Sequence, residues 1–225
     1  MSTVTGGPNI VTNGLVLNLD AANTKSYVSG STAWNDISRG GNNGTLTNGP
    51  TFNSGNGGSI VFDGVDDYVN CGNSTNLQIT TGTISAWVKA TSDLTSNYKA
   101  IICKQNAWGL FSLNNILVTY DWGNGTTRYT TTTIGNSTWC NVCMSFTEST
   151  GTPSNNAVIY VNGVAVLTTT IKHLNQSVNF FVGYGNTVSQ YIMSSNIAQS
   201  QIYNRALSAT EIKQNFNATR ARFGV

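Results

Sequence analysis

The chain has 225 residues, of which only 9% are charged, and a formal net charge of +2. That length can close one large β domain around its own core without disulfides. With no cluster of Lys and Arg, the charge argues against a nucleic-acid partner. No apolar run is long enough to cross a bilayer, so no membrane partner is expected. The opening MSTVTGGPNI also lacks the basic and apolar regions of a secretion signal.

Residues 1–10 read as a short flexible arm, and 11–225 as a single domain. Asn13 to Ala21 predicts the first strand, with Leu15, Leu17 and Leu19 on the core face. Thr24 to Gly49 is turn-rich and carries Trp34. SIVFDGVDDYVNCG at 59–72 predicts two short strands joined by an acidic corner at Gly64, Asp66 and Asp67. Thr83 to Ala90 alternates Ile84, Ala86 and Val88 against Ser85, Trp87 and Lys89. Short strands follow at 100–104, 108–113 and 116–122, then a Thr-rich strand at 126–133 and a longer one at 138–148. Asn162-Gly163 sits between two alternating runs, the signature of a type I′ hairpin. The last strands fall at 179–185 and 191–203.

The period then changes. Ser208 and Glu211 form a capping box, Leu207 can staple against Ile212, and Ile212 and Phe216 share a helical face. Many short strands and one terminal helix argue for an antiparallel sandwich. Cys140 and Cys143 have C-x-x-C spacing, but an odd separation on a strand puts them on opposite faces. With His173 the only histidine, packed free thiols fit better than a zinc or redox site.

Four segments in order carry a resemblance: GLVLNLDAANTKSY at 14–27, WNDISRGGNNGTLTNGPTF at 34–52, the 59–72 stretch, and IAQSQIYNRALSATEI at 197–212. Together they resemble the laminin-G-like, concanavalin-A-like jelly rolls, especially the single-domain forms of bacteriophage and environmental virus genomes. The resemblance implies an all-β, two-sheet antiparallel jelly-roll sandwich with one short C-terminal helix.

Glucanases of that superfamily present their carboxylates as a Glu-x-Asp-x-x-Glu strand, and this chain has no such run. Glu211 is taken by helix capping, and Asp66 and Asp67 sit together in a turn. No enzymatic activity is expected.

Related domains often pin a loop with calcium, and 34–44 is rich in oxygen donors and glycines. Asp36, Asn42 and Asn43, with Asp63 contributing, are the expected ligands. The chain departs from its relatives at Ala198-Gln199-Ser200-Gln201, where many carry an acid. A metal-free Asx-turn network is the alternative.

Saccharide sites combine an aromatic platform with amides and Arg that fork to hydroxyls. Trp122, Asn124 and Arg128 offer both around one turn, with Tyr98 and Trp108 as further candidates. Trp87 and Trp139, inside strands, are expected to pack.

The viral flavour of the resemblance and the Thr/Asn/Gly-rich surface point to a non-enzymatic virion protein: a capsid decoration, fibre or tail accessory. Its expected partners are other capsid or tail proteins, further copies of itself, and cell-surface glycans. Its expected place is the particle surface. A cellular carbohydrate-binding module is the alternative.

Overall fold

The computed structural model describes residues 8–90, 97–135, 137–148, 154–172, 174, 176–185 and 191–225. Within them two eight-stranded antiparallel sheets pack face to face. The first sheet runs β14 (Val164–Thr169), β13 (Ala157–Val161), β12 (Trp139–Phe146), β7 (Gly82–Ala90), β16 (Ser194–Tyr203), β5 (Ser59–Asp63), β4 (Thr51–Asn53). Its eighth strand, β1 (Leu15–Asp20), pairs with the C-terminal half of β16, beyond the stretch that β5 uses. The second sheet runs β11 (Thr126–Thr133), β10 (Ile116–Asp121), β9 (Trp108–Leu113), β8 (Lys99–Lys104), β15 (Phe180–Val182), β6 (Tyr68–Asn70), β3 (Gly44–Thr47), β2 (Ala33–Trp34).

Strand alternation builds the core between them. Ile84, Ala86 and Val88 of β7, Val142 and Met144 of β12 and Phe62 of β5 meet Trp108 and Leu110 of β9, Leu117 of β10 and Phe180 of β15. Three hairpins turn on asparagine with φ in the left-handed region: Asn106 between β8 and β9, Asn114-Asn115 between β9 and β10, and Asn162-Gly163 between β13 and β14.

The other face of the first sheet is covered by the helix α1 (Ala209–Thr219). Ile212 packs with Cys143, Tyr160 and Tyr203, while Phe216 and Phe223 join Trp87 in a second cluster. The Phe223 ring stacks on Trp87 at 4.1 Å, and the Trp87 indole N–H donates to Thr219 Oγ1 at 2.8 Å. The capping box is in place, and Arg205 forks onto Glu211, holding that carboxyl down at about 2. Cys140 faces the main core and Cys143 the helix, on opposite sides of β12 as expected.

Three expectations gain detail, the first of them a change. A bulge between Leu15 and Leu17 turns Leu15 out of the main core and toward the helix side, bringing Val16 in. The turn-rich stretch after Thr24 contains β2 and all of β3, and Trp34 is fully buried. Finally, the described end of the arm is docked. Gln214 Nε2 donates to the Asn9 carbonyl at 2.7 Å, and the neighbouring Val11 N–H donates to Asn215 Oδ1 at 2.7 Å. Residues 1–7 of the arm, and His173, lie outside the described residues.

Candidate functional site

With α1 spent on the first sheet, the outward side chains of the second sheet form a face of their own. In β9 Trp108 and Leu110 turn inward, while Phe111 and Leu113 turn outward. In β10 Leu117 faces in and Val118 and Tyr120 face out. Trp122 continues the outward row, and Tyr98 leads into β8 beside it. Tyr98, Gln105, Asn106, Phe111, Tyr120, Trp122 and Tyr191 enclose a cleft of about 340 Å³, within the range of small-ligand sites.

The rings brace one another edge to face. Tyr98 meets Phe111, Tyr120 and Tyr191 with centroids at 5.8, 5.8 and 5.7 Å, and Tyr120 meets Trp122 at 5.4 Å. Phe111, 3% exposed, is the floor. It lies flat because its neighbour on that face is Gly109, where an added Cβ would stand 2.9 Å from the phenyl ring. The Tyr98 hydroxyl is hydrogen-bonded to Thr127 Oγ1, and burial pushes its phenol up, so it stays protonated. Indole, phenols, a phenyl and two amides line the cleft; among the described residues no carboxylate, ammonium or guanidinium does.

Of the expected saccharide ligands, Tyr98 and Trp122 come together here. Trp108 points the opposite way, fully buried against Phe180 at 5.5 Å, because it occupies an inward position of β9. Asn124 and Arg128 serve a different group. Asp121 is inward and fully buried, and its carboxylate accepts from Asn124 Nδ2 at 2.9 Å, Arg128 at 2.9 Å and the Lys172 N–H at 3.1 Å. Burial opposes ionisation of Asp121, but these donors outweigh it and leave its pKa below the usual carboxylate value. The turn after β10 is thereby latched to the 172 segment, which fixes where Trp122 begins its exit.

The expected calcium ligands divide into two places. Asp36, Asn42 and Asn43 are neighbours in one loop, and hydrogen bonds within the protein engage each of them. Asp36 Oδ1 accepts from the Asn18 and Ser38 N–H groups at 2.8 Å each. Its Oδ2 accepts from the Asn42 N–H and Ser38 Oγ at 2.9 Å each. Asn43 Oδ1 takes the Asp36 N–H at 2.9 Å, and Asn42 donates to the Val16 carbonyl while accepting from Ser74 Oγ. Four donors on one carboxylate leave no free lone pair for a cation, so this donor set does not fit calcium. Gly40 permits the closure, because any Cβ there would sit 1.8 Å from the Val16 carbonyl oxygen.

Asp63 is elsewhere, in the acidic corner with Asp66 and Asp67, their carboxylate oxygens within 4.8 Å of one another. The buried Asp67 carboxyl accepts from the Asp63 N–H at 3.0 Å. Burial raises its pKa, and repulsion from Asp63 and Asp66 adds to that.

Five lining residues, Gln105, Asn106, Phe111, Tyr120 and Tyr191, are not among the expected ligands. Phe111 has a readable signal: β9 is apolar on both faces, which calls for cover on both sides. Tyr191 has none, since no alternation or turn signal around it marks it as a neighbour of Tyr98.

No curated protein sequence matches the chain. Solved structures of similar fold include the binding domain of Paraclostridial mosquitocidal protein 1, at 15% identity and TM-score 0.70, covering 91% of this chain and 52% of that one. Trypanosoma rangeli sialidase in complex with sialic acid matches at 15% identity and TM-score 0.70, over 96% of this chain and 35% of the enzyme. The receptor binding domain of botulinum neurotoxin C/D mosaic serotype matches at 18% identity and TM-score 0.64, over 92% and 51%. The chain thus spans about half or less of these proteins, and at such identities the likeness is one of fold. The family model described as concanavalin A-like lectin/glucanases superfamily matches residues 63–213, more than half the chain, and so the chain belongs to that superfamily as a lectin-like jelly roll.

Proposed function

We propose that the chain is a non-catalytic adhesion domain that holds a saccharide in the aromatic cleft of its second sheet and is displayed outward on a virus particle. The observation that carries the binding role is the cleft itself: Trp122, Tyr120, Tyr98 and Tyr191 around a buried Phe111 floor, with Gln105 and Asn106 at the rim. Half-buried rings on a soluble surface offer flat apolar faces to the C–H faces of sugar rings, and amides serve the hydroxyls. Two of the similar folds are themselves binding domains, that of Paraclostridial mosquitocidal protein 1 and the receptor binding domain of a botulinum neurotoxin.

A binding role without hydrolysis fits the placement of the acids. Glycoside cleavage needs two carboxylates facing the scissile bond, and none of the described residues lining the cleft carries one. Asp121 is locked to Arg128, Glu211 to Arg205, and Asp36 to its own loop. Display on a particle draws support from the viral resemblance and from a surface solvated by hydroxyls and amides, with 9% charge overall.

A glycan array probed with wild type and Trp122→Ala tests the binding role: saccharide signals in the first that vanish in the second are expected, and a silent wild type refutes it. Co-sedimentation of the chain with particles tests the display. A cellular carbohydrate-binding module would keep the array signal and lose the particle association.

A further inference from the structure

We infer that the cleft is one end of a longer platform, and that its ligand is an uncharged oligosaccharide laid across the strands rather than an anionic terminal sugar. This rests on the binding role proposed above.

The aromatic row does not stop at Tyr191. That ring lies against Gly185, where an added Cβ would come within 2.9 Å of the Tyr191 Cβ and 3.0 Å of its ring. The residue before that glycine, Tyr184, stacks on Tyr68 at 5.1 Å and 27°, and both meet Phe181 edge to face at 5.4 and 5.6 Å. Trp122, Tyr120, Tyr98, Tyr191, Tyr184 and Tyr68 therefore follow one another from β10 to β6. Those strands are four places apart in the sheet order. At about 4.8 Å per strand the row extends about 19 Å, much longer than one pyranose ring. Tyr68, Tyr98, Tyr120, Trp122, Tyr184 and Tyr191 are each partly exposed rather than sealed in the core, so ring faces remain for a ligand.

The charge balance selects the ligand class. A carboxylated or sulfated sugar loses hydration on entering an aromatic cleft and needs a cationic partner in return. Among the described residues the cleft lining supplies none. Arg128, the cation on the adjoining strand β11, points to the other side of the sheet and is bound to Asp121. Amides at Gln105 and Asn106 suit neutral hydroxyls.

The test is isothermal titration of the full chain with neutral gluco-, manno- and galacto-oligosaccharides, from mono- to hexasaccharide, beside sialyllactose and a heparin hexasaccharide. In at least one neutral series, affinity is expected to rise about 2- to 10-fold for each added stacked ring until the row is filled. Tyr184→Ala, or Tyr184→Leu if the first does not fold, is expected to flatten the rise for long ligands and leave the short ones unchanged. Monosaccharide binding as tight as hexasaccharide binding, or preference for the anionic ligands, overturns the inference while leaving the binding role intact. Silence from every saccharide overturns both.

Discussion

Lys104 closes β8 immediately before the Gln105-Asn106 rim of the cleft, and its ammonium is buried at 1% exposure. It donates to Asn73 Oδ1 at 2.6 Å and to the Val178 carbonyl at 2.5 Å. Both acceptors are neutral, so desolvation dominates and lowers its pKa from 10.5 to about 8. Between those two values the unfolded chain binds the proton that the folded chain has released, so stability must rise with pH across that window. Taking both pKa values, the gain between pH 7 and pH 10 is about 2.5 kcal/mol. Buried Cys71, Cys103 and Cys143, whose thiols burial pushes up, act with the opposite sign over the same range. The quantity to measure is therefore a difference. Lys104→Met and wild type are each unfolded in urea at pH 7 and pH 10, and the wild-type advantage is expected to grow by about 2.5 kcal/mol on going to pH 10. A difference that is flat, or that shrinks with pH, refutes the claim that this amine is desolvated without a counter-charge.

Removing the Asp121 carboxylate leaves Arg128, Asn124 and the Lys172 N–H without their acceptor. Asp121→Ala is expected to lower stability by about 3 kcal/mol in denaturant titration, and a change below about 0.5 kcal/mol would show that the latch is dispensable. Gly185→Ala should push Tyr191 off its seat, weakening saccharide binding severalfold in calorimetry with little change in melting temperature; unchanged affinity would remove Tyr191 from the site. Excess chelator should leave the melting temperature where it is, because Asp36 is saturated by protein donors. A chelator-induced drop that disappears in Asp36→Asn would place a cation in that loop after all.

Where alternation by twos is uninterrupted, the sequence was enough to orient side chains. Ile84, Ala86 and Val88 fall on the core face of β7, and the Ser208–Glu211 box starts the helix where its spacing requires. Leu15 escaped because a bulge reverses the phase within one strand, and a bulge leaves no mark in hydrophobic pattern alone. The strands β2, β3 and β4 are two to four residues long, too short to establish a period.

The site was legible in part for a related reason. Trp122 and Tyr98 stand at strand ends, where an aromatic residue next to a turn can be read as a platform. Asn124 in that turn and Arg128 on the strand after it are directed by the buried Asp121, and an acid at an inward position reads the same as one at an outward position until the register is known. Asp36 illustrates the same limit. A carboxylate among glycines and amides suits a cation or a set of backbone N–H groups equally well, and only the closed loop decides between them.

The most direct test of the account is to locate a bound sugar. Amide and aromatic NMR resonances would be followed while a saccharide identified on the array is titrated into the labelled chain. The account predicts shifts concentrated at Tyr98, Gln105, Tyr120, Trp122 and Tyr191, with the Asp36 loop and the acidic corner at Asp63–Asp67 unmoved. Shifts confined to either of those two regions, with the Trp122 indole undisturbed, would contradict it.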